Sequence, residues 1–145
     1  KNDLPWGQFD DMLEGMREHL ASLPRSLPLR DALRIAIVVF NHIPDGELQY
    51  HRERMTLLLT VPSLVAHSTI RYADWRQVIA DFVGERLGID PAGLTPQTIA
   101  FVCLGVSLAA YEQWLANEDA SLSDLLDEGF LATRDLMLLD EPRQA

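Results

Sequence analysis

The residues best suited to chemistry in this chain are four histidines and one cysteine. No two histidines have the four-residue spacing that would place both on one helix face as metal ligands, so we expect no metal site. Cys103 lies in an apolar stretch, where a thiol usually behaves as a small buried hydrophobe. The histidines are His19, His42, His51 and His67.

The acidic pairs give no better indication of catalysis. Asp10-Asp11 and Asp127-Glu128 are adjacent in sequence, so their side chains diverge on a helix instead of converging on a substrate. The sequence contains no glycine-rich phosphate loop and no nucleophile elbow. We therefore expect no catalytic residues and no cofactor.

One segment, residues 64–87, is richer in possible binding groups. One helical stripe, polar at one end and apolar at the other, comprises His67, Arg71, either Asp74 or Trp75, Val78 and Phe82. Such a stripe suits an amphiphilic ligand with an anionic head group. The alternative is ordinary packing, with Arg71 paired to an acid and Trp75 in the core, and the sequence leaves both open.

Composition limits the classes of protein that this chain can be. Its 145 residues suffice for one compact domain, and 48% apolar residues are typical of a folded protein. Twelve Lys and Arg against 22 Asp and Glu give a net charge of −10. A face that follows the phosphate backbone needs clustered basic residues, so we do not expect this segment to bind nucleic acid directly.

Apolar residues recur at helical spacing throughout, which predicts an all-α fold of six helices. The helices are expected at about residues 5–20, 29–41, 47–60, 62–87, 96–117 and 121–138. Pro44-Asp45-Gly46 is typical of a turn, and Gly88 suits the left-handed position after a helix. Thr95-Pro96 and Ser121 with Asp124 are read as helix starts.

The fifth predicted helix carries more apolar surface than one core requires, since no charged residue lies between Ala92 and Tyr111. Its apolar part is too short for a membrane span, which needs roughly 20 apolar residues. Gly105 and Ala109 form a pair of small residues that permits close helix approach. We expect the last two helices of each of two subunits to form a four-helix interface, with a single core and no dimer as the alternative.

Several short motifs give the chain a family resemblance. In order and spacing they resemble the C-terminal part of TetR-family transcriptional regulators, and within that family the mycofactocin-regulator (MftR-like) group. The motifs are Lys1 to Leu4 with Trp6-Gly7 and Phe9-Asp10, then Arg52-Glu53-Arg54, Val61-Pro62-Ser63-Leu64, Arg71-Tyr72 with Trp75, Glu85-Arg86-Leu87-Gly88, and Trp114-Leu115-Ala116.

The resemblance implies an effector domain that binds a small hydrophobic or acyl ligand, such as a fatty acyl-CoA, and forms a homodimer through its last two helices. It implies a cytoplasmic regulator, expected to be a repressor, that releases operator DNA when ligand shifts the first and third helices. We expect operator contact only through an N-terminal helix-turn-helix domain, absent before residue 1, and no contact with a membrane.

The resemblance also implies candidate site residues. Arg71 or Arg54 is expected to meet an anionic head group. The ligand wall is expected to comprise Phe9, Leu13, Met16, Ile37, Phe40, Met55, Leu58, Trp75, Val78 and Phe82. The dimer interface is expected to comprise Val102, Gly105, Val106, Ala109, Gln113, Leu122, Leu126 and Phe130.

Three classes of function therefore compete. A ligand-sensing domain requires an internal apolar cavity, whereas a helical interaction module would dimerise without one. An enzyme would require converging titratable groups, which the sequence does not show at a recognisable spacing.

Overall fold

A computed structural model describes residues 6–135, and within that range the chain forms six α-helices and no strand. This confirms the fold class predicted from the sequence. The helices are α1 (Phe9–Ser22), α2 (Leu29–Phe40), α3 (Leu48–Thr60), α4 (Pro62–Leu87), α5 (Leu94–Ala116) and α6 (Leu122–Asp135).

The long helices α4 and α5 form the centre of the fold. They pack against each other, α6 packs on the other side of α5, and α1 contacts both α2 and α4. The core where they meet is built from fully buried side chains that recur at helical spacing on each element. The largest of these are Trp114, Leu20, Ile37, Leu58 and Ile79.

Helix α5 is long and apolar enough to cross a membrane by length and composition alone. Within the fold, however, one of its sides is buried against α4 and α6, through residues that include Ala100, Cys103, Ala110 and Trp114. Burial on this side accounts for part of its high hydropathy, whereas Phe101 and Val102 on the other side are exposed.

The structure places two helix starts differently from the prediction. Helix α1 begins at Phe9, not at residue 5, and α5 begins at Leu94 after Gly93, not at Thr95-Pro96. Proline fits anywhere in the first turn, because the N–H groups of that turn have no partner within the helix, so Pro96 did not fix the start.

At the other end of the chain, the N–H of Asp124 donates to Ser121 Oγ at 3.3 Å, which confirms the predicted cap of α6. The predicted end of α6 near residue 138 and the motif at residues 1–4 lie outside the described residues.

The end of α4 folds back tightly on the helix. Gly88 adopts the left-handed conformation (φ +67°), and the Ile89 N–H donates to the Gly84 carbonyl oxygen at 2.9 Å, as in a Schellman motif. This return brings Pro91 against Gly84. A Cβ atom at Gly84 would lie 2.9 Å from the Ile89 carbonyl oxygen and 2.9 Å from Pro91 Cγ.

Gly84→Ala is therefore expected to destabilise the domain by about 1–3 kcal/mol, because backbone atoms of the return cannot move aside as a flexible side chain could. Gly15→Ala is the matched control, since Gly15 lies exposed on α1 with nothing within 4 Å of its Cβ position. That control should gain up to about 1 kcal/mol from helix propensity. Urea denaturation of both variants measures the difference, and equal stabilities would contradict the prediction.

Helix α3 is held to the fold by a few apolar side chains and by polar contacts with α5. Only Met55 and Leu58 of its 13 residues are buried. The Arg52 guanidinium lies 4.1 Å from the centre of the Trp114 ring and donates to the Trp114 carbonyl oxygen at 2.6 Å. It also donates to the carbonyl oxygens of Asn117 and Glu118, so Arg52 joins α3 to the C-terminal end of α5.

Candidate ligand cavity

A cavity of about 720 Å³ lies between α3, the loop that precedes it, and the inner faces of α1, α4 and α5. This volume is within the range of small-molecule sites. The segment before α1 contributes Trp6, Gly7 and Gln8, and α1 contributes Phe9 and Met12. The end of α2 and the following loop contribute Phe40 to Pro44, Gly46 and Glu47. Helix α3 contributes Tyr50, His51, Arg54, Met55 and Leu58, α4 contributes Tyr72 and Trp75, and α5 contributes Leu104, Ser107, Leu108 and Tyr111.

One wall of the cavity is aromatic. Trp6 meets Phe9 edge to face, with 4.8 Å between the ring centres, and Phe9 meets Phe40 in the same way at 6.1 Å. Phe40 in turn lies 6.4 Å from Trp75, and Trp6 lies 6.0 Å from Tyr72. Edge-to-face packing holds these rings in fixed orientations, so this wall is a preformed apolar surface.

Another part of the lining, the polar wall, carries a chain of hydrogen bonds that joins three helices. Arg54 Nη2 on α3 donates to His51 Nδ1 at 2.6 Å, and His51 Nε2 lies 2.9 Å from Tyr111 Oη on α5. The Tyr111 hydroxyl donates to Asn41 Oδ1 at 3.1 Å, and Asn41 Nδ2 donates to the Ile37 carbonyl oxygen at the end of α2. Each of these four side chains therefore has a hydrogen-bond partner, although the Nε atom of Arg54 has none between residues 6 and 135.

Burial controls the protonation of this polar wall. Desolvation, followed by repulsion from the Arg54 guanidinium, lowers the pKa of His51 to about 4, so the imidazole is neutral near pH 7. Desolvation likewise raises the pKa of Tyr111, although Arg54 acts against it. Arg54 is thus the positive charge of the polar wall.

No carboxylate within residues 6–135 forms an ion pair with Arg54. Its Nε atom is buried and has no hydrogen-bond partner among the described residues, and the same is true of the indole nitrogen of Trp6. Arg76 Nε and Arg86 Nη1, away from the cavity, also lack a partner in the part of the chain that the structure describes, so what distinguishes Arg54 and Trp6 is that both line the cavity and could donate to a molecule bound there. An anionic or strongly polar acceptor next to an apolar surface fits this arrangement.

Elsewhere in the described part of the chain the chemistry is inert. Burial raises the pKa of the Cys103 thiol to about 12, so the nucleophilic thiolate is not formed near neutral pH. Residues 6–135 contain no group of three His, Cys, Asp or Glu side chains arranged to hold a metal ion.

The structure places half of the predicted ligand residues on the cavity. These are Phe9, Phe40, Arg54, Met55, Leu58 and Trp75. Leu13, Met16, Ile37 and Val78 do not line it, because they are buried in the core between helices. Phe82 lies farther along α4 with the Arg86 guanidinium over its ring, and it does not line the cavity either.

The two arginines proposed for the head group also separate. Arg71 does not line the cavity, and its Nη1 atom lies 3.5 Å from Asp10 Oδ1 on α1. Arg54 faces the cavity. The geometry thus favours Arg54 over Arg71, and the segment 64–87 contributes only Tyr72 and Trp75 to the cavity.

The predicted interface residues divide in a similar way. Val102, Gly105, Ala109 and Gln113 are exposed along one side of α5, and Phe130 on α6 is partly buried. Val106, Leu122 and Leu126 are buried within the single chain, where α5 and α6 pack together. These three residues thus contribute to the core of one subunit, which leaves little of their surface for a partner, and the interface itself stays a prediction.

Sequence reasoning missed most of the polar wall. His51 and Arg54 lie four residues before Met55 and Leu58, respectively, so these four residues share a face of α3, and that signal was available. Tyr111 could be noticed as a lone hydroxyl in an apolar helix. Asn41 has no such signal, because only the packing of α2 against α5 brings it to Tyr111.

Comparison with known proteins accounts for this architecture. A family model described as the MftR C-terminal domain, of the TetR type, matches residues 27–136. The putative mycofactocin biosynthesis transcriptional regulator MftR of Mycobacterium tuberculosis (strain ATCC 25618 / H37Rv) is 43% identical over 130 residues, which cover 90% of this chain and 66% of that relative. The chain thus spans about two thirds of the relative's length. It belongs to the MftR C-terminal domain family of TetR-type transcriptional regulators, which is not a family of enzymes.

Proposed function

We propose that this chain is the ligand-sensing and dimerisation domain of a TetR-type repressor that releases operator DNA when a small hydrophobic or acyl ligand, such as a fatty acyl-CoA, occupies the cavity. The observation that carries the proposal is the charge of Arg54, which has no acidic partner in residues 6–135 and faces an otherwise largely apolar cavity. The alternative, a dimerisation module without a ligand, does not account for a preformed cavity of this volume.

The ligand would act by favouring one of two arrangements of the helices. Cavity-lining residues come from α1 and α3, and a ligand that binds one arrangement of these helices better than the other shifts the balance between them. Because α3 is joined to α5 through Arg52 and through His51 with Tyr111, a movement of α3 would reach the proposed dimer interface.

The proposed homodimer would use the exposed sides of α5 and α6. Phe101 and Val102 on α5 are 53% and 45% exposed, and Leu131 on α6 is also exposed. Exposed apolar side chains on two adjacent helices favour burial by a second copy. Contact with operator DNA in the cytoplasm would then fall to another part of the regulator, since this segment lacks clustered basic residues.

The proposal is tested by ligand binding to Arg54→Gln. Decanoate, decanoyl-CoA and decanol serve as probes, and isothermal titration calorimetry measures their dissociation constants. Loss of a charge-assisted hydrogen bond costs about 1.5–3 kcal/mol, so the variant should bind the two anionic probes about 10- to 100-fold more weakly. Its affinity for decanol should change less than about twofold, because the apolar wall is intact.

Arg17→Gln is the matched control, since Arg17 pairs with Asp81 on the surface, away from the cavity. It should bind all three probes as the unmodified chain does. Failure of every probe to bind, or equal weakening by both variants, would contradict the proposal. In the full-length regulator, Arg54→Gln should also blunt the loss of operator binding that anionic probes cause.

A further inference from the structure

The directions of the hydrogen bonds at the cavity fix which ring nitrogen of His51 carries the hydrogen. Arginine can only donate hydrogen bonds, so His51 Nδ1, 2.6 Å from Arg54 Nη2, must be an unprotonated acceptor. The imidazole hydrogen is therefore on Nε2 and points to Tyr111 Oη, whose own hydrogen goes to Asn41 Oδ1. A proton on Nδ1 would break the contact with Arg54 and place two cations side by side.

We propose that an anionic head group bound at Arg54 is accompanied by a proton taken up at His51, which then becomes a second donor to the same anion. This inference rests on the proposed function, because it requires an anion at Arg54. His51 Nδ1 gains one proton from solvent. Arg54 then donates its hydrogen bond to the ligand instead of to Nδ1, and Nδ1–H donates to a second oxygen of the ligand.

The surroundings of His51 supply no competing charge strong enough to hold a proton there beforehand. From α5 it faces Tyr111, which burial keeps neutral, and the apolar ring of Trp114. The end of α2 presents the neutral amide of Asn41, and the following loop brings His42 and Glu47 to the cavity. Helix α4 contributes Tyr72, whose pKa burial also raises, and the part of α1 on the cavity carries no charged side chain.

An anion would offset one of the two causes that keep His51 neutral, the charge of Arg54, and would oppose the other, desolvation, by accepting a hydrogen bond from the imidazolium. Desolvation disfavours the imidazolium and Arg54 repels it, and together they lower the pKa of His51 to about 4 in the empty cavity. A negative head group offsets the charge of Arg54 and offers an acceptor to Nδ1–H, so the pKa rises on binding. The free protein does not protonate His51 between pH 8 and pH 6, whereas the complex does, and affinity for the anion therefore increases as pH falls.

The size of the effect follows from the ordinary pKa of histidine. If binding returns the pKa of His51 to about 6.5, an anionic ligand binds about fourfold more tightly at pH 6 than at pH 8. The protein then takes up about 0.8 proton on binding at pH 6. A neutral ligand gains nothing from the same change of pH.

The experiment uses decanesulfonate, whose head group does not titrate in this range, with decanol as the neutral probe. Calorimetry at pH 6 in two buffers of different ionisation enthalpy counts the protons directly on the unmodified protein, so the result does not depend on a variant that folds. We expect about 0.8 proton taken up with decanesulfonate, none with decanol, and none with decanesulfonate in His51→Gln.

The outcomes separate this inference from the proposed function. If decanesulfonate binds in an Arg54-dependent manner but no protons are taken up and affinity is the same at both pH values, the inference about His51 is wrong and the anion site stands. If decanesulfonate does not bind at either pH, both are overturned. Equal proton uptake with decanol would assign the proton to another group and would also overturn the inference.

Discussion

Replacement of Trp114 by alanine is expected to lower the free energy of unfolding by about 3–5 kcal/mol. Trp114 is only 2% exposed, and its ring contacts Tyr111 and His51 as well as the Arg52 guanidinium. Truncation would leave a cavity where α3, α5 and α6 meet, and it would remove the ring that stabilises the Arg52 cation. Since the free energy of unfolding of a domain is about 5–15 kcal/mol in total, this loss is a large part of the stability.

Two comparisons identify the cause of that loss. Trp114→Phe retains an aromatic ring next to Arg52, so its free energy of unfolding should fall clearly less than that of Trp114→Ala. Leu94→Ala removes a side chain of α5 that is 84% exposed, and it should change stability by no more than about 0.5 kcal/mol. Urea denaturation followed by circular dichroism, at one fixed protein concentration, measures all three. A loss below about 1 kcal/mol in Trp114→Ala would contradict the central role of this ring.

Gly105→Arg is expected to separate the proposed dimer into folded monomers. In the single chain Gly105 is exposed on α5, and a Cβ atom there meets nothing within 4 Å, so the substitution should not disturb the subunit. At a two-fold interface each of the two copies would bury one arginine that has no acidic partner. An unpaired buried charge costs about 3 kcal/mol or more, so the dissociation constant should rise at least about a hundredfold.

Gly15→Arg makes the same change at an exposed glycine of α1, and its dimer should remain intact. Sedimentation equilibrium gives the dissociation constants, and circular dichroism checks that both variants are helical. If Gly105→Arg stays dimeric, the interface lies elsewhere. A monomeric unmodified chain at micromolar concentration would contradict the homodimer itself.

The helices were predictable because their signals are local. Apolar spacing, turn residues and Gly88 are each decided within a few positions along the chain, and six helices in the expected order resulted. The starts of α1 and α5 were less predictable. Pro96 and the residues before Phe9 are compatible with more than one start, and the packing of neighbouring helices decides between them.

The cavity was predictable only in part, for a physical reason. A helical stripe shows that Leu13, Phe9 and Trp75 turn inward, but it does not show whether each meets another helix or an open space. Phe9 and Trp75 reach the cavity, whereas Leu13 fills the core. Likewise Val106, Leu122 and Leu126 were assigned to a partner surface, yet α6 already covers α5 on that side.

The weak apolar anchoring of α3 has a consequence for how a ligand reaches the cavity. With only Met55 and Leu58 buried, this helix exposes little apolar surface when it detaches, so local opening costs far less than global unfolding. The contacts that must break are the packing of Met55 and Leu58 in the core and the polar contacts of Arg52 and His51 with α5, of which water can replace the polar ones. The rate at which a ligand enters and leaves therefore depends on a small set of contacts of α3, while the aromatic wall keeps its shape.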